Sequence, residues 1–323
     1  MTNTSKPRIG VIGTGGIGGF YGLMLQNSGL DVRFLVRSGQ EELRRDGMSL
    51  RSESLGDIQH QVQVCSQVEE LDGCDWILVS TKTTGNAEVA RLLNRLPNPA
   101  VKVVLLQNGY GNEEQMRALV PAQMSLFAGL CFIQVRRTAP GQIWHQGGGA
   151  INIGYHSGAA SAEQGAALAA ELAELFAAAK VPSEVTDAEL ARWQKLVWNV
   201  PYNGLSVVLD ANTSSMMDNP SCLALITDLM QEVVDAAATC GYVLPEKLMP
   251  AMLKSTRQMD NYYPSMHGDY TGGKTLELQA IYRAPLQAAR TAGGDMPKVA
   301  MLLQQLEFIQ ARSELAISHE KPC

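Results

Sequence analysis

Lys195, Asn199 and Asn203 stand four residues apart. Each step of four turns only about 40° around a helix of 3.6 residues per turn, so the three side chains share one stripe. An ammonium and two carboxamides in line can hold a polar substrate and deliver a proton. The same spacing also suits a solvated helix face. Trp193, Leu196, Val197 and Trp198 occupy the adjoining faces, which implies that much of this helix is buried. Pro201, between the two asparagines, is expected to kink or break it. Glu277 is read as a helical residue among Leu276, Leu278, Ala280 and Ile281. A carboxylate facing into that apolar company needs a partner, while an outward-facing glutamate fits the spacing as well. Ser265, in the Pro264-Ser265-Met266 loop, offers a hydroxyl that could serve a substrate or merely a turn or cap.

A second group of residues binds rather than reacts. Ile9, Val11 and Ile12 read as a buried strand, followed by Gly13, Thr14, Gly15, Gly16, Ile17 and Gly18. The glycines at 13, 15 and 18 have the G-x-G-x-x-G spacing. The first permits a tight turn, the second close approach to a pyrophosphate, and the third packing of the next helix on the sheet. The phosphates would meet the free N–H groups at the start of a helix running from Ile17 to about Gln26. Val32–Val36 makes the next strand and ends in Arg37-Ser38, where an NAD enzyme commonly carries an acid. A guanidinium there can grip a 2′-phosphate bidentately, which indicates NADPH; a solvated loop arginine is the alternative. Lys82 and Asn108 follow the strands Trp76–Ser80 and Val103–Leu106, at the carboxyl edge where open α/β sheets bind ligands.

These residues must be positioned by two kinds of architecture. Up to about residue 187 short strand runs alternate with helical segments, the pattern of a Rossmann-type α/β sheet. Met48–Val64 reads as a β-hairpin inserted in the crossover. Ser125–Leu130, Phe132–Val135, Gln142–His145 and Ile151–Gly154 read as separate strands, with turns at Pro140-Gly141 and Gly147–Gly149. Ser161–Ala179 reads as a helix capped by Ser161. From residue 188 to 323 helical patterns take over, at about 188–209, 219–241, 245–258, 271–292 and 295–313, with Pro220, Pro245 and Pro297 near helix starts. The expected division is 1–187, binding the dinucleotide, and 188–323, a mostly α-helical substrate and catalytic domain.

Composition narrows the function classes. A chain of 323 residues can form two sizeable cores, and 46% hydrophobic with 18% charged residues is ordinary for a globular protein. A net charge of −6 argues against a nucleic-acid partner. The six cysteines, Cys323 included, show no C-x-x-C pair, and the five histidines show no metal-ligand spacing. Reduced thiols, no metal, no membrane segment and a cytoplasmic location are therefore expected, with the tail His319–Cys323 frayed. The many alanines and leucines of the helical half permit a homodimer.

Together these pieces resemble the ketopantoate reductase (2-dehydropantoate 2-reductase) family, in order from Ile9 to about Pro297. The resemblance rests on the glycine turn, Leu-Val-Arg37, Ser80-Thr81-Lys82, Gln107-Asn108-Gly109 and Trp193–Asn199 with Asn203, and on Ser265 preceding Glu277 at the family's separation. It implies an NADPH-dependent reductase of a small 2-oxo acid, with 2-dehydropantoate the leading candidate. Lys195 would be catalytic and Glu277 would contact the reacting oxygen. Ser265 would take the substrate carboxylate, Asn199 and Asn203 would hold the substrate, and Asn108 would lie near nicotinamide and substrate. The family's Glu-x-Asp-x-x-Asn-Gly is here Glu277-Leu278-Gln279-Ala280-Ile281-Tyr282-Arg283. A related hydroxyacid dehydrogenase with another substrate, or a non-catalytic NADP-sensing protein, are the competing readings.

Overall fold

A computed structural model describes residues 6–259 and 261–319. The chain divides into two compact units. One takes in the chain up to Gln107 together with Asn112–Ala188, and the other comprises Asn108–Gly111 and the chain from Glu189 onward. Four residues of the strand-rich stretch thus belong with the helical unit.

The first unit contains β1 (Arg8–Ile12), α1 (Gly16–Asn27), β2 (Asp31–Leu35), α2 (Gln40–Asp46), β3 (Met48–Ser52), β4 (Ile58–His60), β5 (Gln63–Cys65), β6 (Trp76–Val79), α3 (Asn86–Leu93), β7 (Lys102–Leu105), α4 (Asn112–Arg117), β8 (Ser125–Ala139), β9 (Gln142–Ser157), α5 (Ala162–Ala178) and β10 (Ser183–Val185). The strands form one sheet in the order β4-β3-β9-β8-β7-β6-β1-β2-β5, with β10 beside β9. Its centre is parallel, β2-β1-β6-β7-β8, and β8 and β9 are antiparallel. Side chains alternate between faces, so a sheet covered on both sides needs apolar residues at every position. In β6, Trp76 and Leu78 enter one core while Ile77 and Val79 enter the core on the other face.

Two expectations about the strands are corrected. The hairpin is β3 with β4 alone; Val64 leaves it for β5, which pairs parallel with β2 at the opposite edge of the sheet. Gly147–Gly149 makes no turn. β8 and β9 run through as two long strands joined at Pro140-Gly141, and the glycines absorb a register shift opposite Phe132 and Ile133. Gly148 and Gly149 have φ of +74° and +123°, which lets the extra residue of a bulge fit without ending the strand. Ser161 caps α5 as expected, exchanging hydrogen bonds with Gln164.

The second unit is built from α6 (Ala188–Val208), α7 (Thr213–Asp218), α8 (Pro220–Thr239), α9 (Leu248–Arg257), α10 (Ser265–Thr271), a π-helical turn (Gln279–Arg283), α11 (Ala284–Thr291) and α12 (Pro297–His319). In α8 the buried positions Ile226, Leu229, Met230, Val233, Ala236 and Ala237 repeat at helical spacing. Asn219 accepts the Cys222 N–H to cap it, and Pro220 opens it. Four details differ from the sequence reading. α7 is an additional helix, capped by Asn212 accepting the Ser215 N–H. α9 starts at Leu248, after a turn at Pro245. The expected helix 271–292 is interrupted after Gly272-Gly273 and resumes only beyond Glu277. Pro201 breaks nothing: α6 is one helix of 21 residues with Val200, Pro201 and Tyr202 buried on its neighbours. Packing therefore outweighs the lost proline hydrogen bond. Among the described residues no helix is long and apolar enough to cross a membrane, and Cys65, Cys74, Cys131, Cys222 and Cys240 are unbridged; Cys323 and the tail beyond residue 319 lie outside them.

Candidate active site

In the first unit the glycine turn joins β1 to α1. Gly13 has φ +103°, and a Cβ there would come within 2.8 Å of the Thr81 nitrogen. At Gly18 a Cβ would lie 2.1 Å from the Gly13 carbonyl oxygen and 2.2 Å from Ser80 Oγ, so this glycine is required by packing. Ser80 Oγ also donates to the Gly13 carbonyl at 2.5 Å, locking the turn to β6. Gly15 differs: nothing lies within 4 Å of the space its Cβ would fill. It is the N-cap of α1, and no side chain caps that helix or places an acid in its first turn. An open cradle at the start of a helix with unsatisfied N–H groups fits a diphosphate. Thr14, Gly16 and Ile17 are half-buried around it. Arg37 and Ser38 are exposed just past β2, and no described side chain pairs with Arg37, so its guanidinium fits an added phosphate. Lys82 follows β6 and is half-buried; the adjacent strand ends are tied by Gln107 Nε2, which donates to the Thr81 carbonyl at 3.1 Å and to Asn86 Oδ1 at 2.7 Å.

In the second unit α6 carries Lys195, Asn199 and Asn203 along one stripe. Lys195 is half-buried, whereas Asn199 and Asn203 are 3% and 1% exposed. The stripe is therefore no solvated face. Asn203 Oδ1 accepts the Met266 N–H at 3.2 Å and the Ser265 hydroxyl at 3.5 Å, which brings the start of α10 to α6. Ser265 is the first residue of α10, rather than a loop residue, and remains exposed. Asn199 Nδ2 is buried and has no hydrogen-bond partner among the described residues. An amide left without an acceptor costs about 1–3 kcal/mol, so such a group marks a place where a ligand can compensate.

Glu277 is buried, which settles the sequence ambiguity against an outward-facing residue. It precedes the helix it was expected to lie in: its carbonyl accepts the Ile281 N–H at 3.1 Å, opening the π-helical turn. Pro285 explains that turn. It has no N–H for the carbonyls one helical turn before it. The Ala280 carbonyl instead accepts the Tyr110 N–H at 2.8 Å. Gly109, φ +97°, is needed for this approach, since a Cβ there would meet Ala280 Cβ at 2.5 Å. Tyr110 packs on Trp193 with ring centroids 4.9 Å apart; burial and the Glu189 carboxylate push its phenol far above its ordinary range. The short segment bearing Asn108 is thereby fixed in the unit that holds Lys195 and Glu277. Tyr110 and Ala280 were not singled out from sequence. The available signals were the glycines on both sides of Tyr110 and a proline eight residues after Glu277.

Two family models match the chain, both described as ketopantoate reductase PanE/ApbA. One covers residues 9–158, and the other, for the C-terminal part, covers 187–310. A 2-dehydropantoate 2-reductase from Nostoc sp. is 36% identical over 96% of this chain and 97% of its own. The crystal structure of 2-dehydropantoate 2-reductase from Geobacter metallireducens superposes with a TM-score of 0.85 at 34% identity, covering 93% of this chain and 99% of that one. The enzyme of the same name from Methylococcus capsulatus gives 0.83 at 32% identity, covering 95% and 97%.

Proposed function

The chain belongs to the ketopantoate reductase family, and from that premise we propose that it reduces 2-dehydropantoate to pantoate with NADPH. Membership makes it an oxidoreductase acting on a CH–OH group with a nicotinamide cofactor. The observation that carries the substrate reading is the unpartnered, buried Asn199 amide on the same helix stripe as Lys195. The preference for NADPH is supported by Arg37, an exposed cation with no partner among the described residues, at a position where an acid would favour NAD.

The bound nicotinamide would supply a hydride to the ketone carbon. Lys195 donates a hydrogen bond to the ketone oxygen, stabilises the negative charge that accumulates there, and delivers the proton. Glu277 orients that ammonium or the new hydroxyl. Asn199 and Asn203 hold the substrate, and Ser265 takes its carboxylate. Asn108 would serve near the nicotinamide and the substrate. Gly13–Gly18 and Lys82 would hold the cofactor, and Arg37 would take its 2′-phosphate.

The test is NADPH oxidation with a panel of 2-oxo acids, 2-dehydropantoate among them, and NADH in parallel. The expected result is the highest kcat/KM for 2-dehydropantoate with NADPH. Preference for another oxo acid would establish the related-dehydrogenase reading, which the segment Gln279–Arg283 favours because it departs from the family's sequence. Tight NADPH binding without any turnover would establish the sensor reading. A cytoplasmic homodimer belongs to the same proposal, supported by the exposed Met301 and Phe308 of α12; sedimentation as single chains would remove the dimer.

A further inference from the structure

The short helix α10 begins with Ser265, and its first turn is attached to α6 and the residues after it at two points. Near its start the Met266 N–H meets Asn203 Oδ1 at 3.2 Å. One residue on, the buried His267 bonds Asp210 Oδ1 through Nε2 at 2.8 Å. A carboxylate accepts, so Nε2 carries the hydrogen. The Tyr263 ring lies against the imidazole with centroids 4.4 Å apart. Asp210 stands two residues past Val208, the last residue of α6, and its side chain is exposed. There the Leu209 N–H bonds the Leu205 carbonyl at 2.9 Å and the Ala211 N–H bonds the Ser206 carbonyl at 3.2 Å. This is the closure of a helix whose terminating residue turns left-handed, and Asp210 is that residue, at φ +48°. Glycine is the usual occupant because a Cβ is strained in this region, with asparagine the next best. The helix end therefore gains nothing from an aspartate. What the aspartate adds is a carboxylate that holds His267.

We propose that Asp210 and His267 are positioning residues for the 2-oxo acid: their bond fixes the first turn of α10 and so the direction in which Ser265 presents its hydroxyl. They act through α10 and not by contact with substrate or cofactor. This rests on the reading given above, in which Ser265 takes the substrate carboxylate. A turn held at Asn203 alone is free to pivot about that one attachment; the second attachment removes the freedom. Asparagine at position 210 keeps both the left-handed backbone and an oxygen for His267. Glycine keeps the backbone and loses the oxygen. The two substitutions thus separate the helix end from the hydrogen bond.

The experiment compares wild type, Asp210→Asn and Asp210→Gly for kinetics with the preferred 2-oxo acid, NADPH affinity by fluorescence, and unfolding in urea. Asp210→Gly should raise KM for the oxo acid roughly threefold to tenfold, as expected for one weakened hydrogen bond, with kcat within about twofold. Its NADPH Kd should equal that of the wild type, and its urea midpoint should not fall, because glycine relieves the left-handed strain. Asp210→Asn should keep KM within about twofold of the wild type. Because the pair acts through Ser265, Asp210→Gly/Ser265→Ala should lose no more than Ser265→Ala alone. An unchanged KM in Asp210→Gly, an equal rise in Asp210→Asn, additive losses, or a parallel rise in NADPH Kd would overturn the role. Should Asp210→Gly lower the urea midpoint instead, His267→Phe decides by the same KM and Kd criteria, since it removes the donor and keeps a ring against Tyr263. A wild-type protein that turns over no 2-oxo acid overturns the proposed function, and the role of the pair with it. An unaltered KM in Ser265→Ala overturns the carboxylate reading and the role built on it; a raised KM there with a normal one in Asp210→Gly overturns the pair alone.

Discussion

A lysine on an α-helix is common, and what distinguishes Lys195 is its stripe. The two residues following it at four-residue intervals are amides, both almost wholly buried, and one has an N–H group with no acceptor among the described residues. Spacing alone could not separate this from a solvated face; burial does. Lys195→Ala should lower kcat by about 10²–10⁴-fold, the usual contribution of a general acid, while NADPH still binds. Retained turnover in the folded variant would rule out the role. At Arg37 the argument is electrostatic. A carboxylate would repel a 2′-phosphate, so Arg37→Asp should weaken NADPH by tenfold or more while NADH is little affected. Equal losses, read by fluorescence titration of each cofactor, would show that Arg37 holds no phosphate. Glu277 shows the limit of reading residues singly: its side chain was suspected from apolar neighbours, but its position ahead of the helix depends on Pro285 and on what the freed Ala280 carbonyl bonds.

Elements were legible where one local rule dominated. The β1–turn–α1 segment was, because strand hydrophobicity, glycine spacing and helix start agree. The β8–β9 pair was not, because three glycines in sequence look like a turn, and only the partner strand shows that they form a bulge. Helix 271–292 was misjudged because its apolar spacing continues across a stretch where hydrogen bonding does not. The glycine turn also separates ligand contact from packing. Gly15→Ala meets open space at φ −79° and should change stability by less than about 0.5 kcal/mol while weakening NADPH. Gly18→Ala must displace Ser80 and the Gly13 carbonyl, and should cost about 1–3 kcal/mol in denaturant unfolding. Comparable stability losses in the two variants would contradict this division of labour. Strand β9 carries a further, pH-dependent term. His145 Nε2–H donates to the Gly148 carbonyl at 3.1 Å, so Nδ1 accepts the Ser52 hydroxyl at 2.8 Å, tying β3 to β9. Burial lowers its pKa from 6.5 despite those backbone contacts. On acidification the unfolded chain takes up the proton first. The stabilisation is thus complete above about pH 6.5 and is lost as pH falls toward the folded value, at no more than about 1.4 kcal/mol per pH unit. Urea unfolding of His145→Gln should show a shallower decline between pH 7 and 5.5 than the wild type; identical slopes would show that His145 does not contribute.

At the scale of the molecule the sequence showed a change of character near residue 187 but not that Asn108–Gly111 groups with the helical unit. That assignment depends on the Ala280 carbonyl and the Tyr110–Trp193 packing, contacts separated by more than eighty positions, which no local pattern encodes. Each unit has its own apolar interior: Ile9, Val11, Trp76 and Phe127 lie in one, and Trp193, Ile226, Met230 and Tyr282 in the other. Separate interiors allow sub-global opening, in which one part exposes its amides while the other stays closed. A cofactor held by the glycine turn and Arg37 stabilises the closed state of the unit that contains them. At a free concentration of 100 Kd it adds about 2.7 kcal/mol, a roughly hundredfold change in the opening equilibrium. Hydrogen exchange should accordingly slow about a hundredfold for the slowest amides of β1, α1 and β6 with NADPH present, and remain unchanged in α8. Uniform slowing through both units would mean that the chain opens only as a whole; no slowing in β1 and α1 would mean that the cofactor is not held at the glycine turn.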